Sequence, residues 1–127
     1  MSPELENKLV SEFPGIFRGL YDGDPKETLL CFGLEVGDGW FDLLRKLCID
    51  IQATNPGKDF RAVQVKEKFG GLRFYVTSAT KEVHDLIDKA EEKSYSTCEG
   101  CGAAGVEFES THGWINTLCS KCMEARR

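Results

Sequence analysis

Apolar residues recur along the chain at two periods, and each period predicts its own kind of element. Leu5, Leu9, Val10 and Phe13 share one face of a helix over 3–13. Ser2 stands where its hydroxyl can cap that helix, and Pro3 fits the first turn, where an amide hydrogen has no helical partner anyway. In GDGWFDLLRKLCIDIQATNPG, residues Trp40, Phe41, Leu44, Leu47, Cys48 and Ile51 recur at helical spacing and make a wide core-facing stripe. Asp38 reads as the N-cap of this second helix, Asp42, Arg45, Lys46 and Asp50 as its wet face, and Asn55-Pro56-Gly57 as its stop. A third stripe of Val83, Leu86, Ile87 and Ala90 predicts a helix over 80–95 capped by Thr80. His84 lies beside that stripe and reads as a surface histidine.

The period shortens to two between 60 and 78, which predicts strands over 60–69 and 72–78. Gly70-Gly71 between them suits a two-residue turn, because both positions can take positive φ. That turn sets Lys68 opposite Arg73 and Lys66 opposite Tyr75. One face then carries Val63, Val65, Phe69, Leu72, Phe74 and Val76, with Glu67 as a misfit. The other carries Gln64, Lys66, Lys68, Arg73, Tyr75 and Thr77. Residues 14–37 keep neither period, and TLLCFGLEV over 28–36 fits either a short strand or a buried loop.

These elements describe an α+β fold: amphipathic helices packed on a β-hairpin or small antiparallel sheet. At 127 residues, with 41% hydrophobic content, the chain can bury one core. A body over 1–95 and a cysteine-bearing element over 96–127 are the expected division.

Cysteine spacing changes the picture at the C-terminus. Cys98-x2-Cys101 and Cys119-x2-Cys122 flank a segment, VEFES to GWINTL, that reads as a short hairpin turning at Thr111-His112-Gly113. Two such pairs present four thiolates to one tetrahedral ion, which is the zinc-ribbon pattern, with the zinc structural. Four cysteines leave no open position for catalytic zinc. A redox dithiol needs only one CxxC, and a βαβ context for it is missing; an iron–sulfur cluster is the other competing reading. Cys31 and Cys48 lie in apolar surroundings and read as small buried hydrophobes. The N-terminal MSPELENKLV shows no secretion signal and no apolar run reaches membrane-spanning length, so a cytoplasmic protein is expected.

Net charge is −5, which argues against a general nucleic-acid coat. The charge is uneven, however: residues 58–73 carry +3 and the remainder −8. Like charges opposed across a hairpin repel by a few tenths to about 1 kcal/mol. Lys66, Lys68 and Arg73 therefore either meet an anion from outside or meet the protein's own carboxylates, with Asp85, Asp88 and Glu91 of the third helix as candidates. With Tyr75 beside them, these cations suit a phosphate attached to a base, or a short nucleic-acid segment. No phosphate-binding loop, nucleophile elbow or HExxH motif is present, which points away from catalysis.

Three blocks, GDGWFDLL, VQVKEKFGGLRFYV and CEGCG…HGWINTLCSKC, together resemble a group of small uncharacterised proteins of bacteria, phages and prophages. The resemblance spans roughly residues 37–122. Some members end the second metal pair with histidine, where Cys122 stands here. The group carries no established activity; its setting suggests small binders and inhibitors. The expectation is a non-enzymatic zinc-ribbon protein holding an anionic ligand at Lys66, Lys68, Arg73 and Tyr75. The alternative is a protein-interaction module, such as an inhibitor of a host protein, that works through its acidic surface.

Overall fold

The computed structural model describes residues 1–20 and 30–126, apart from the side chain of Cys31. The burial expected for Cys31, and the first part of the 28–36 segment, lie outside the described residues. The element order is α1 (Pro3–Glu12), α2 (Phe41–Ala53), β1 (Arg61–Lys68), β2 (Gly71–Thr77), α3 (Lys81–Ser94), β3 (Val106–Glu109), β4 (Ile115–Leu118) and α4 (Ser120–Ala125). Strands β1 and β2 form one antiparallel sheet and β3 and β4 another, so the fold is α+β. No helix among the described residues is long and apolar enough to cross a membrane.

The three helical stripes bury as their periodicity requires. Leu9 and Phe13 of the first, Trp40, Leu44, Leu47, Cys48 and Ile51 of the second, and Val83, Ile87 and Ala90 of the third meet in one core. They close over Val65, Leu72 and Phe74 of the hairpin. Ser2 caps α1 through the Leu5 N–H, and Thr80 caps α3 through the Val83 N–H. Asn55 ends α2 at φ 54°, the left-handed conformation that asparagine tolerates. Residues Leu30–Phe32 form a 3₁₀ turn, and Glu35 then lies parallel beside β1, with its N–H on Val65 O and its carbonyl on the Glu67 N–H.

Two expectations are corrected. Asp38 does not cap α2: it opens a 3₁₀ turn over Asp38–Trp40, and its Oδ1 accepts the Ser2 N–H at 2.7 Å. The hairpin turns on Phe69-Gly70, at φ 54° and 84°, and not on Gly70-Gly71. The pairing slides by two residues, so side chains keep their faces but change partners: Lys66 now faces Arg73, and Lys68 faces Gly71. A bulge between Ala62 and Gln64 absorbs the extra residue. The reason is tertiary. A Cβ at Gly71 would stand 2.4 Å from the Tyr95 ring, so the second glycine is needed for close packing and not for the turn. Phe69 is thereby moved off the apolar face and left 66% exposed.

Glu6 is a buried carboxyl side chain that the helical pattern conceals. Its Oε1 accepts the Leu34 N–H at 2.8 Å, beneath Gly33. The Met1 ammonium donates to Leu34 O at 2.9 Å on the same segment. Helix α1 thus pins residues 33–38, the approach to α2. Glu6→Ala would strand a buried N–H, and the expected loss is about 1–3 kcal/mol in urea unfolding, with Glu6→Gln losing less.

Candidate metal centre

The second CxxC pair straddles a strand end and a helix start: Cys119 follows β4, and Cys122 sits in α4. The first pair lies in a tight knuckle. There the Cys98 N–H donates to Ala103 O at 2.7 Å and the Gly102 N–H to Cys98 O at 2.8 Å, with Gly102 at φ +84°. Pairing of β3 with β4, from Val106–Leu118 to Glu109–Ile115, brings the two turns together. All four Sγ atoms lie within 4.8 Å of one another, and Cys101 and Cys119 are 3.6 Å apart. Zinc–sulfur bonds of about 2.3 Å place tetrahedral sulfurs roughly 3.8 Å apart. The four thiols therefore suit a metal ion. His112 stands at the tip of the β3–β4 hairpin and takes no part in this cluster.

The electrostatics agree with a cation at this place. Burial raises the Cys98 thiol, but the backbone N–H groups of Cys119, Cys101 and Gly100 outweigh it and bring the pKa down to about 6. Cys122 is pushed up to about 12, first by its hydrogen bond with Cys98 and then by that with Cys119. The Cys119 thiol is also lowered, first by a backbone hydrogen bond at Cys122, while Cys101 is raised, so each CxxC pair holds one favoured thiolate and one thiol whose proton a metal ion would displace. Cys48 differs: burial, and then the Glu12 charge, push its pKa up, as befits an inert core thiol.

The knuckle is docked on the body by backbone. The Gly39 N–H donates to Glu99 O at 2.8 Å, the Gly37 N–H to Glu99 Oε2 at 2.9 Å, and the Trp40 indole to Thr97 O at 2.8 Å. A Cβ on Gly39 would lie 2.3 Å from Cys98 O, and one on Gly37 2.3 Å from Glu99 O. Glu99 is buried, and its pKa is raised first by that burial; the Gly37 N–H opposes the shift and the nearby Glu67 adds to it. On the far side, the Thr117 hydroxyl donates to Gly70 O at 2.7 Å, which joins the β1–β2 turn to β4. None of these contacts was visible as such in the sequence. The closely spaced glycines of GDGW and KFGG were the signal, since glycine is kept where backbones approach.

The cationic face is only partly free. Arg73 is ion-paired with Glu91 at 3.2 Å and donates to the Tyr95 hydroxyl at 3.1 Å, so α3 answers one of the positive charges. Among the described residues, Lys66 and Lys68 make no salt bridge. Lys68 Nζ lies 5.7 Å from the centroid of the Phe69 ring. Tyr75 is 44% exposed on the same face. A separate apolar groove between α2 and α3 has a mixed rim, with Lys46 paired to Asp50 at 2.6 Å.

Comparison with protein-family models, curated proteins and solved structures gives no match. The site is read from its own geometry. Gly39→Ala is expected to lower stability by about 1–3 kcal/mol through overpacking and to speed metal loss to a chelator. Gly57→Ala, whose Cβ would meet open space, is the control and should change neither.

Proposed function

We propose that this is a non-enzymatic zinc-ribbon binding protein that holds an anionic ligand, a nucleotide or a short nucleic-acid segment, on the outer face of the β1–β2 hairpin. The carrying observation is that Lys66 and Lys68, on one strand of a chain of net charge −5, have no carboxylate partner among the described residues. In a chain with 21 acidic side chains, a pair of neighbouring cations left open is an anion handle. Tyr75 supplies a flat surface beside them. Arg73 serves this reading as a fixed positive background, since Glu91 and Tyr95 hold it in place.

Zinc is the metal that four thiolates at CxxC spacing favour, and a closed sulfur set makes it structural. Thiolates held by zinc are at home in a reducing compartment, which supports a cytoplasmic setting. The ion would hold the ribbon together, and the ribbon in turn buttresses the hairpin tip through Thr117 and Gly70.

Elemental analysis of the purified chain is expected to give one zinc per molecule, and chelation should lower the thermal midpoint. Lys66→Glu combined with Lys68→Glu should weaken binding of a fluorescent nucleotide or oligonucleotide roughly tenfold or more, because each reversal replaces attraction by repulsion. The melting temperature should hardly move, as neither lysine is in an ion pair among the described residues. A double variant that binds normally overturns the reading.

A further inference from the structure

Beside the lysine pair, the hairpin tip and the ribbon tip enclose a cleft of about 440 Å³, lined by Glu67, Lys68, Phe69, His112, Trp114 and Ile115. Its walls are two aromatic side chains that contribute little to any core. Phe69 is 66% exposed and Trp114 is 73% exposed. Phe69 also sits at φ 54°, where a bulky side chain is strained and glycine or asparagine is the ordinary choice. A residue that is both strained and exposed weakens the fold without return, and such positions cluster at ligand sites.

The two rings belong to different parts of the molecule, and the turn beneath each is hydrogen-bonded in place. Phe69 is flanked by Gly70, whose carbonyl accepts the Thr117 hydroxyl and whose N–H donates to Glu67 Oε2 at 2.7 Å. Trp114 enters β4 directly, and its N–H and that of His112 donate to Ser110 Oγ in the ribbon turn. The cleft thus offers two exposed rings to clamp a flat group, with Lys68 in its lining.

We propose that this cleft takes an unpaired base of single-stranded nucleic acid, stacked against Phe69 and Trp114, with its flanking phosphates on Lys68 and Lys66. The inference rests on the anion-binding reading above and extends it from a charged face to a defined site. Stacking surfaces beside a cation are how single strands are held without sequence reading. A duplex keeps its bases stacked inside and offers nothing to the clamp. The Glu67 carboxylate, with one oxygen on Gly70, keeps lone pairs for a base amino group. Because only Lys66 and Lys68 of this face lack an ion pair among the described residues, and the chain is acidic overall, affinity depends on stacking more than on phosphate charge. The expected slope of log affinity against log salt is accordingly shallow, roughly −1.4 for two phosphates of a single strand.

The test uses the zinc-loaded full chain and a labelled single-stranded DNA of about ten nucleotides, with the matching duplex as comparison. Fluorescence anisotropy should show the single strand bound more tightly than the duplex, and Trp114 emission should be quenched, while Trp40 is fully buried and should stay silent. Trp114→Ala and Phe69→Asn should each weaken the single strand about tenfold or more. Trp114→Phe should recover much of the loss. Phe69→Asn removes the ring but tolerates positive φ, so it should leave the melting temperature unchanged or raise it. Aromatic variants that bind as tightly as the parent, while the lysine reversals abolish binding, overturn the cleft and leave the anion face standing. A parent chain that binds neither single strand, duplex nor nucleotide overturns both.

Discussion

The structure depends on the backbone contact between the cysteine knuckle and the turn that starts α2. Main chain meets main chain there, with Gly39 against Cys98 and Glu99, and Gly37 against Glu99. A side chain at either glycine would fall within 2.3 Å of a carbonyl oxygen, so the approach exists only because those side chains are absent. The Trp40 indole anchors the same junction from inside the core, since it is wholly buried while its N–H reaches Thr97 O. A buried indole needs a partner for that N–H, and the knuckle supplies it.

This contact explains why the ribbon can be so small. Its strands are four residues each, and β3 is largely exposed. Only Thr117 and Leu118 of β4 are buried. An element with so little apolar surface cannot offset its own ordering entropy. It is held by a four-thiol cluster at one end and by two junctions with the body, one at GDGW and one at the hairpin tip. GDGW, KFGG and the cysteine pairs, far apart in the chain, are three sides of one joint.

The same joint sets the electrostatics of the hairpin. Once the tip is clamped to β4 and Gly71 lies under Tyr95, Arg73 is carried to Glu91 and the Tyr95 hydroxyl. Among the described residues, Lys66 and Lys68 stay outside any ion pair, and the Phe69 and Trp114 rings are exposed. A chain of net charge −5 gains little from long-range attraction to a polyanion.

Local rules made much of this protein legible. Helical stripes, the Ser2 and Thr80 caps, the existence of the β1–β2 hairpin and of the ribbon hairpin, and the four-cysteine set all follow from spacing within a few dozen residues. Each rests on the period of a helix or strand, or on the reach of a ligand turn. What only the tertiary structure decided are the features that hang on contacts between distant segments. The hairpin turn moved to Phe69-Gly70 because Gly71 packs on Tyr95, and Thr117 from the ribbon holds Gly70. Asp38 left its capping role because the Ser2 N–H reached it across the fold. Glu6 went inside because the Leu34 N–H needed an acceptor. Turn and cap preferences amount to about 1 kcal/mol, whereas a steric overlap or a stranded buried amide costs more, so the long-range contacts prevail.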